Sequence, residues 1–206
     1  MQKPLKILVV RFSSIGDIVL TSPVVRCLKK QLNAEVHFIT KYSFKSVVEH
    51  NPNIDKIYTI KDSVSEVLEE LKVEHYDWII DLHNNLRSTQ LKRIKVKSKS
   101  FKKLNFQKFL LITFGINTMP KIHTADRYLD SILHLGVVND GLGLDYFLSK
   151  KDEIDLSNFE NQYITFAIGG THFTKILPTE KIIAICNKQK KQVVLVGGKE
   201  DFERGE

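Results

Sequence analysis

The stretch "RFSSIGDIVLTSP", residues 11 to 23, decides how this chain is read. Its first two residues close "KILVVRF" (6–12), which reads as a strand, continuous and β-branched, of the kind buried on both faces of a parallel sheet. Behind it, residues 17 to 32 carry apolar side chains at helical spacing: Ile18, Leu20 or Thr21, Val24, Val25, Leu28 and Leu32. A strand that passes through two serines and a glycine into a helix is the opening unit of an open α/β sheet. Such sheets bind ligands beyond the carboxyl ends of their strands. Ser13 and Ser14 offer hydroxyls there, Gly16 permits close backbone approach, and the helix start offers free amide N–H groups. Asp17 has two readings, a helix-start acid set against the dipole or a general base with a substrate hydroxyl in reach. Pro23 either kinks the helix or opens a second one capped by Ser22.

The same alternation continues outward. "AEVHFIT" (34–40), "KIYTI" (56–60) and "DWIIDLH" (77–83) read as strands. A short helix at 43–50 and an amphipathic one at 63–75 lie between them. This pattern predicts a parallel, doubly wound sheet. Residues 86 to 122 are less regular: a helix near 86–93, an irregular basic stretch, and an apolar helix near 105–115. "HTADRYLDSILHLG" (123–136) reads as a helix capped by Thr124 and stopped by Gly136. Residues 137 to 160 read as an interdomain link. The pattern then restarts with "YITFAIGG" (163–170), a helix over 179–189 and "QVVLVGG" (192–198). The expected division is a Rossmann-like domain over 1–150 and the start of a second over 151–206. Two strands and one helix do not bury a doubly wound sheet, so the chain reads as a fragment.

Composition narrows the partners. The formal charge is +7, from 31 basic and 24 acidic residues among 206. Ten Lys or Arg and no Asp or Glu fall between Asp81 and Asp126. That local excess suits phosphate or acidic lipid, or it is a solvated flank. No nucleic-acid motif accompanies it and few aromatics interleave it, so no nucleic-acid partner is expected. Cys27 and Cys186 sit in apolar patterns and read as reduced thiols of a cytoplasmic protein. The opening "MQKPLKILVVRF" lacks the apolar length and cleavage site of a signal peptide. The longest apolar run, "FLLITFGI" (109–116), is far too short to span a bilayer, so any membrane contact is peripheral.

The remaining chemistry lies in loops at strand ends. The first loop lacks both the Gly-Lys-Ser/Thr ending of a phosphate loop and the three glycines of a dinucleotide fingerprint. "DLHNNLRS" (81–88) ends the fourth strand; Arg87 there either clamps a carboxylate or phosphate or belongs to turn and capping chemistry. "IGGTHFTK" (168–175) is the matching loop of the second domain. Its glycines, threonines and Lys175 suit a diphosphate. "GGKED" (197–201) places Glu200 near a ribose or is an ordinary charged loop. No His or Cys cluster has metal-ligand spacing, and no cofactor is expected.

Taken in order, "RFSSIGDIVLTSPVVRCLKK", "DWIIDLHNNLRS", "HTADRYL", "GGTHFTKILP" and "VVLVGGKED" resemble the landmarks of the family 9 glycosyltransferases, the lipopolysaccharide heptosyltransferases. The resemblance runs over nearly the whole chain, about the first 60% of a member. It implies an α/β fold of GT-B type, two Rossmann-like domains with the active site between them. It also implies transfer of heptose from ADP-heptose to the lipopolysaccharide inner core, with inversion and without metal, at the inner face of the cytoplasmic membrane. By resemblance Asp17 is the base, Ser13, Ser14 and Gly16 line the cleft, and Arg87 faces the anionic acceptor. Thr171 and Lys175 hold the donor diphosphate and Glu200 contacts the ribose. Leu177 stands where many members carry Trp. The family's Asp-x-Gly-x-x-His donor segment would lie past residue 206, so little transfer is expected of these residues alone. The rival expectation is a non-enzymatic module that binds anions or a membrane surface.

Overall fold

The structure, a computed structural model, describes residues 3–157, 159, 162–170 and 172–205. Thr171 lies outside them. The chain divides into two compact units, Met1–Lys150 and Lys151–Glu206.

The first unit is a five-stranded sheet in the order β3-β2-β1-β4-β5, parallel throughout. Its strands are β1 (Lys6–Val10), β2 (Glu35–Lys41), β3 (Lys56–Ile60), β4 (Trp78–Asp81) and β5 (Lys97–Ser100). In β1 successive side chains point to opposite faces, which separates two cores. Ile7 and Val9 join Val36, Phe38 and Ile80 under Val24, Val25 and Leu28 of helix α2 (Ser22–Leu32). Tyr128 and Leu129 of α5 (Thr124–Leu129) complete that face. Leu8, Val10 and Phe12 point the other way, against Ile39, Tyr58, Ile79 and Leu71 of α3 (Leu68–Val73). Every β1 residue from Ile7 to Val10 is fully buried, which is why the run is apolar without interruption.

The chain leaves β1 toward β2 and β3, then returns to the opposite side of β1 for β4 and β5. The strand order reverses between β1 and β4, and open α/β sheets place ligands at such a reversal. The loops after these two strands are the two polar stretches singled out in the sequence.

Several expected elements change form. Residues 17–32 are two helices, α1 (Ile15–Val19) and α2, with Thr21 rather than Ser22 before the second and Pro23 in its first turn. The helices expected at 43–50 and 86–93 are 3-10 turns, Tyr42–Val47 and Ser88–Ile94. In the 123–136 segment the cap is His123, whose side chain accepts from the Ala125 N–H. After Leu129 a 3-10 turn at Leu133–Leu135 ends on Gly136 in the left-handed region, φ 78°. β5 lies in the stretch read as irregular; its sequence, "KSKS", has no buried residue to announce a strand.

The expected link at 137–160 is in part fastened to the first unit. The Arg26 guanidinium donates to both carboxylate oxygens of Asp140 at 2.7 Å, to the Gly143 carbonyl at 2.9 Å and to Asp145. The Asp145 N–H donates to Ser22 Oγ at 2.8 Å, and the Gln31 side chain exchanges two bonds with the Val138 backbone. Arg26 holds the Asp140 carboxyl below its ordinary 3.8, at about 2.

The second unit pairs β6 (Tyr163–Ala167) with β7 (Gln192–Val196) in parallel, with α6 (Thr179–Cys186) between them and α7 (Phe202–Gly205) at the end. Only Ile168, Ile182 and Asp201 are buried among its described residues.

Arg26→Ala leaves two carboxylates with their cation gone from a largely buried site. It is expected to cost about 3 kcal/mol, read as a fall in the urea midpoint at pH 7. The sign of the acid response follows from the depressed Asp140 carboxyl. Its contribution is complete above pH 3.8 and is lost as pH falls toward about 2, and the Arg26→Ala protein shows less of that loss.

Candidate active site at the ends of β1 and β4

Arg11 follows β1 directly and is 9% exposed. A buried cation at a strand end needs partners, and its guanidinium finds three. Nε donates to the Ser13 carbonyl at 2.7 Å, and Nη1 donates to the Leu82 carbonyl at 2.7 Å. Nη2 pairs with Asp17 Oδ2 at 2.6 Å. The guanidinium also lies 5.7 Å from the centre of the Tyr128 ring. One side chain thereby joins the loop after β1 to the loop after β4 and fixes the carboxylate of α1.

Asp17 is the third residue of α1, and Ser14 precedes that helix with extended backbone. Ser14 Oγ lies 3.2 Å from Asp17 Oδ2, and the Ser14 N–H donates to the same oxygen at 3.5 Å. Among the described residues every bond to Asp17 runs to Oδ2, and Oδ1 takes none. The side chain is 38% exposed. Asp17 thus stands in the first turn of α1, and its second carboxylate oxygen is unbonded among the described residues. Gly16 is exposed, and a Cβ added there meets nothing within 4 Å. The fold itself does not require glycine at this position.

The β4 loop is organised by Asp81, which is 6% exposed. Its carboxylate accepts from the His83 N–H at 3.0 Å, the Asn84 N–H at 2.8 Å and the Ser88 hydroxyl at 2.6 Å. Asn84 adopts φ 46° and donates through Nδ2 to the Phe101 carbonyl at 2.8 Å. His83 stacks edge-on against Phe12, with ring centres 5.0 Å apart. Burial, reinforced by Arg11, Lys103 and Arg87, pushes its imidazole down to about 4, so the ring is neutral at pH 7. His83 Nδ1 is buried without a hydrogen-bond partner among the described residues. Arg87 is half-buried, opens the turn at Ser88–Ile94, and forms no ion pair among the described residues.

Of the residues expected from sequence, Ser13, Ser14, Gly16 and Asp17 share one loop and helix start. Arg87 lies in the neighbouring loop. Lys175 and Glu200 belong to the second unit, where both are exposed in short 3-10 turns, Phe173–Lys175 and Lys199–Asp201. These turns follow the adjacent strands β6 and β7. The buried acid of "GGKED" is Asp201, 3% exposed, rather than Glu200. Asp201 accepts from the Gly198 N–H at 2.9 Å and from Arg204 at 2.8 Å. It fills the space that side chains at Gly169 and Gly197 would occupy: an added Cβ would lie 2.3 and 2.7 Å from its atoms. Arg11, Asp81 and Asp201 carry no role in the sequence reading, and His83 none beyond that of a polar group in the turn after the fourth strand. The available signal was a charged residue at the carboxyl end of an apolar strand, Arg11 just after β1 and Asp81 as the last residue of β4.

One group of three possible metal ligands occurs among the described residues: Glu35, His37 and Glu74. Lysine already fills it. Lys6 Nζ lies 3.0 Å from Glu35 and 2.8 Å from Glu74, and Lys56 pairs with Glu74 at 2.5 Å. The Glu74 carboxyl is held well below the usual carboxylate range by these two lysines and by Tyr58.

No protein-family model matches the chain. Lipopolysaccharide heptosyltransferase 1 of Campylobacter coli is 23% identical over 208 residues, which cover 88% of this chain and 60% of that protein. The structure of a glycosyl transferase family 9 protein from Veillonella parvula superposes with a TM-score of 0.75 at 23% identity, over 98% of this chain and 66% of the other. E. coli heptosyltransferase WaaC with ADP gives 0.70 at 18% identity, over 97% and 69%. The fold is that of the family 9 glycosyltransferases. The ordered motifs and the family 9 fold thus agree, and the chain spans 60% of the length of the curated relative it matches.

Two glycines separate a site requirement from a folding requirement. Gly16→Ala is expected to leave the melting temperature unchanged or raised, since alanine favours a helix by up to about 1 kcal/mol over glycine. Gly169→Ala is expected to destabilise the second unit by about 1–3 kcal/mol, because its Cβ meets the Asp201 carboxylate. Thermal unfolding followed by circular dichroism, with hydrogen exchange over residues 163–205, distinguishes the two.

Proposed function

We propose that this chain is the acceptor-side domain and the beginning of the donor-side domain of an inverting heptosyltransferase. The reaction moves heptose from ADP-heptose to the inner core of lipopolysaccharide at the inner face of the cytoplasmic membrane. The observation that carries the reading is the Asp17 carboxylate, anchored through Oδ2 by Arg11 and Ser14 with Oδ1 left unbonded. Support comes from the curated relative, which is a lipopolysaccharide heptosyltransferase, and from the likeness to WaaC, crystallised with ADP and with ADP-2-deoxy-2-fluoro heptose.

In the proposed step the acceptor hydroxyl oxygen bonds to the anomeric carbon from the face opposite the nucleotide. The bond from that carbon to the diphosphate oxygen breaks, and the hydroxyl proton passes to Asp17 Oδ1. ADP departs with the bonding pair. Lys175, Thr171 and the amide N–H groups of the 168–175 loop meet its developing charge, so no metal is assigned to the step. Glu200 accepts from the ribose. Ser13, Ser14 and Gly16 line the acceptor side, where Arg87 binds its anionic groups. Arg11 is a positioning residue: it aims the carboxylate, and the acceptor must be brought to it within hydrogen-bond distance.

The test is ADP release from ADP-heptose in the presence of a core acceptor, by the full translated protein. Asp17→Asn is expected to lower kcat by roughly 10²- to 10⁴-fold with the donor KM little changed. Lys175→Ala is expected to raise the donor KM. An Asp17→Asn enzyme that keeps a third or more of the wild-type rate rules out the assigned base. The 206 residues alone are expected to show little turnover.

A further inference from the structure

Helix α4 (Asn105–Phe114) has no buried residue. Its sequence, "NFQKFLLITF", is nevertheless among the most apolar in the chain. Phe106, Phe109, Ile112 and Phe114 are 68, 53, 83 and 62% exposed, and Ile116 extends the surface past the helix end. The helix is properly terminated, with Gly115 in the left-handed region at φ 69° and its N–H bonded to the Leu111 carbonyl at 3.1 Å. A closed, well-formed helix that presents phenylalanine and isoleucine to solvent calls for an occupant.

The surrounding charge says which one. Lys102 and Lys103 precede Leu104, the residue that leads into α4, Lys108 lies within the helix and Lys121 is seven residues past its end, all exposed. Between Asp81 and Asp126 no carboxylate opposes them in sequence. Beside the helix start, a cavity of about 300 Å³ is lined by Lys99, Lys102, Leu104, Arg127 and a single acid, Asp130. Apolar side chains set among lysines match a bilayer with anionic headgroups, where the rings enter the acyl boundary and the ammonium groups stay among the phosphates.

We propose that α4 is a membrane-docking element that inserts into an anionic phospholipid surface. The proposal stands on exposure and charge and does not rest on the transfer chemistry of Asp17. Flotation with phosphatidylcholine vesicles, and with the same vesicles containing one quarter phosphatidylglycerol, tests it on the purified chain. Binding is expected only to the second. Phe109→Asp with Ile112→Asp is expected to weaken it at least about ten-fold. Each lysine near an anionic surface is worth roughly five-fold in partition. Reversal of Lys102, Lys103 and Lys108 to Glu is therefore expected to cost more than about a hundred-fold. These side chains support no core, so circular dichroism of the variants should match the parent. Phe109→Trp adds a depth readout: quenching by brominated lipid is expected beyond that of Trp78. Failure to bind anionic vesicles, binding unchanged by the double Asp variant, or absence of the added quenching each overturns the proposal. Self-association abolished by the double Asp variant, without vesicle binding, would assign the face to a second copy and likewise overturn it.

Discussion

Arg11 sits where the strand order of the main sheet reverses, and the local arrangement depends on how that one cation is satisfied. A guanidinium nine-tenths buried cannot be left without acceptors. It takes a carbonyl from the loop after β1, a carbonyl from the loop after β4, and the carboxylate of Asp17. Each partner is thereby fixed relative to the other two. The loops after neighbouring parallel strands would otherwise be connected only through the sheet; here they share a side chain, and the acid at the helix start has one direction available to it.

Asp81 and Asp201 use the same device in mirrored sign. Each is a buried carboxylate, at the end of β4 or in the turn after β7, satisfied by backbone N–H and a side chain of the segment around it. Around Asp201 the glycines at 169 and 197 make room for the acid. Gly16 differs, since nothing in the chain crowds it. Glycines that look alike in sequence therefore answer to different constraints.

Much of the sheet was legible because its signal is local. A strand buried on both faces is mostly apolar, as β1 is from Ile7 to Val10; β2 and β4 keep that signal although His37, Thr40 and Asp81 are buried in them, and β3 keeps it in part. The helix boundaries were less legible, because short helices with Pro23 or Gly136 nearby resolve into separate turns only when tertiary contacts decide. β5 was invisible for the opposite reason: "KSKS" pairs with β4 through its backbone and buries no side chain. Asp17 could be singled out from its place after a strand, but its geometry could not, because the partner that orients it is six residues earlier and was read as the end of a strand. Arg26 shows the same limit over a longer span. Its acceptors lie 114 to 119 residues away, in a segment whose polar text resembles a linker.

The lysines of β5 have one more effect. This strand forms one margin of the five-stranded sheet, with its outer row of backbone N–H and carbonyl groups unclaimed by a sixth strand among the described residues. Such a margin is a template on which another chain can add itself, and the hazard is greatest when the side chains are apolar. With Lys97 and Lys99 on it, a second copy approaching edge to edge meets like charge before it can form a backbone bond. The sheet is thus guarded against growth from one molecule into the next.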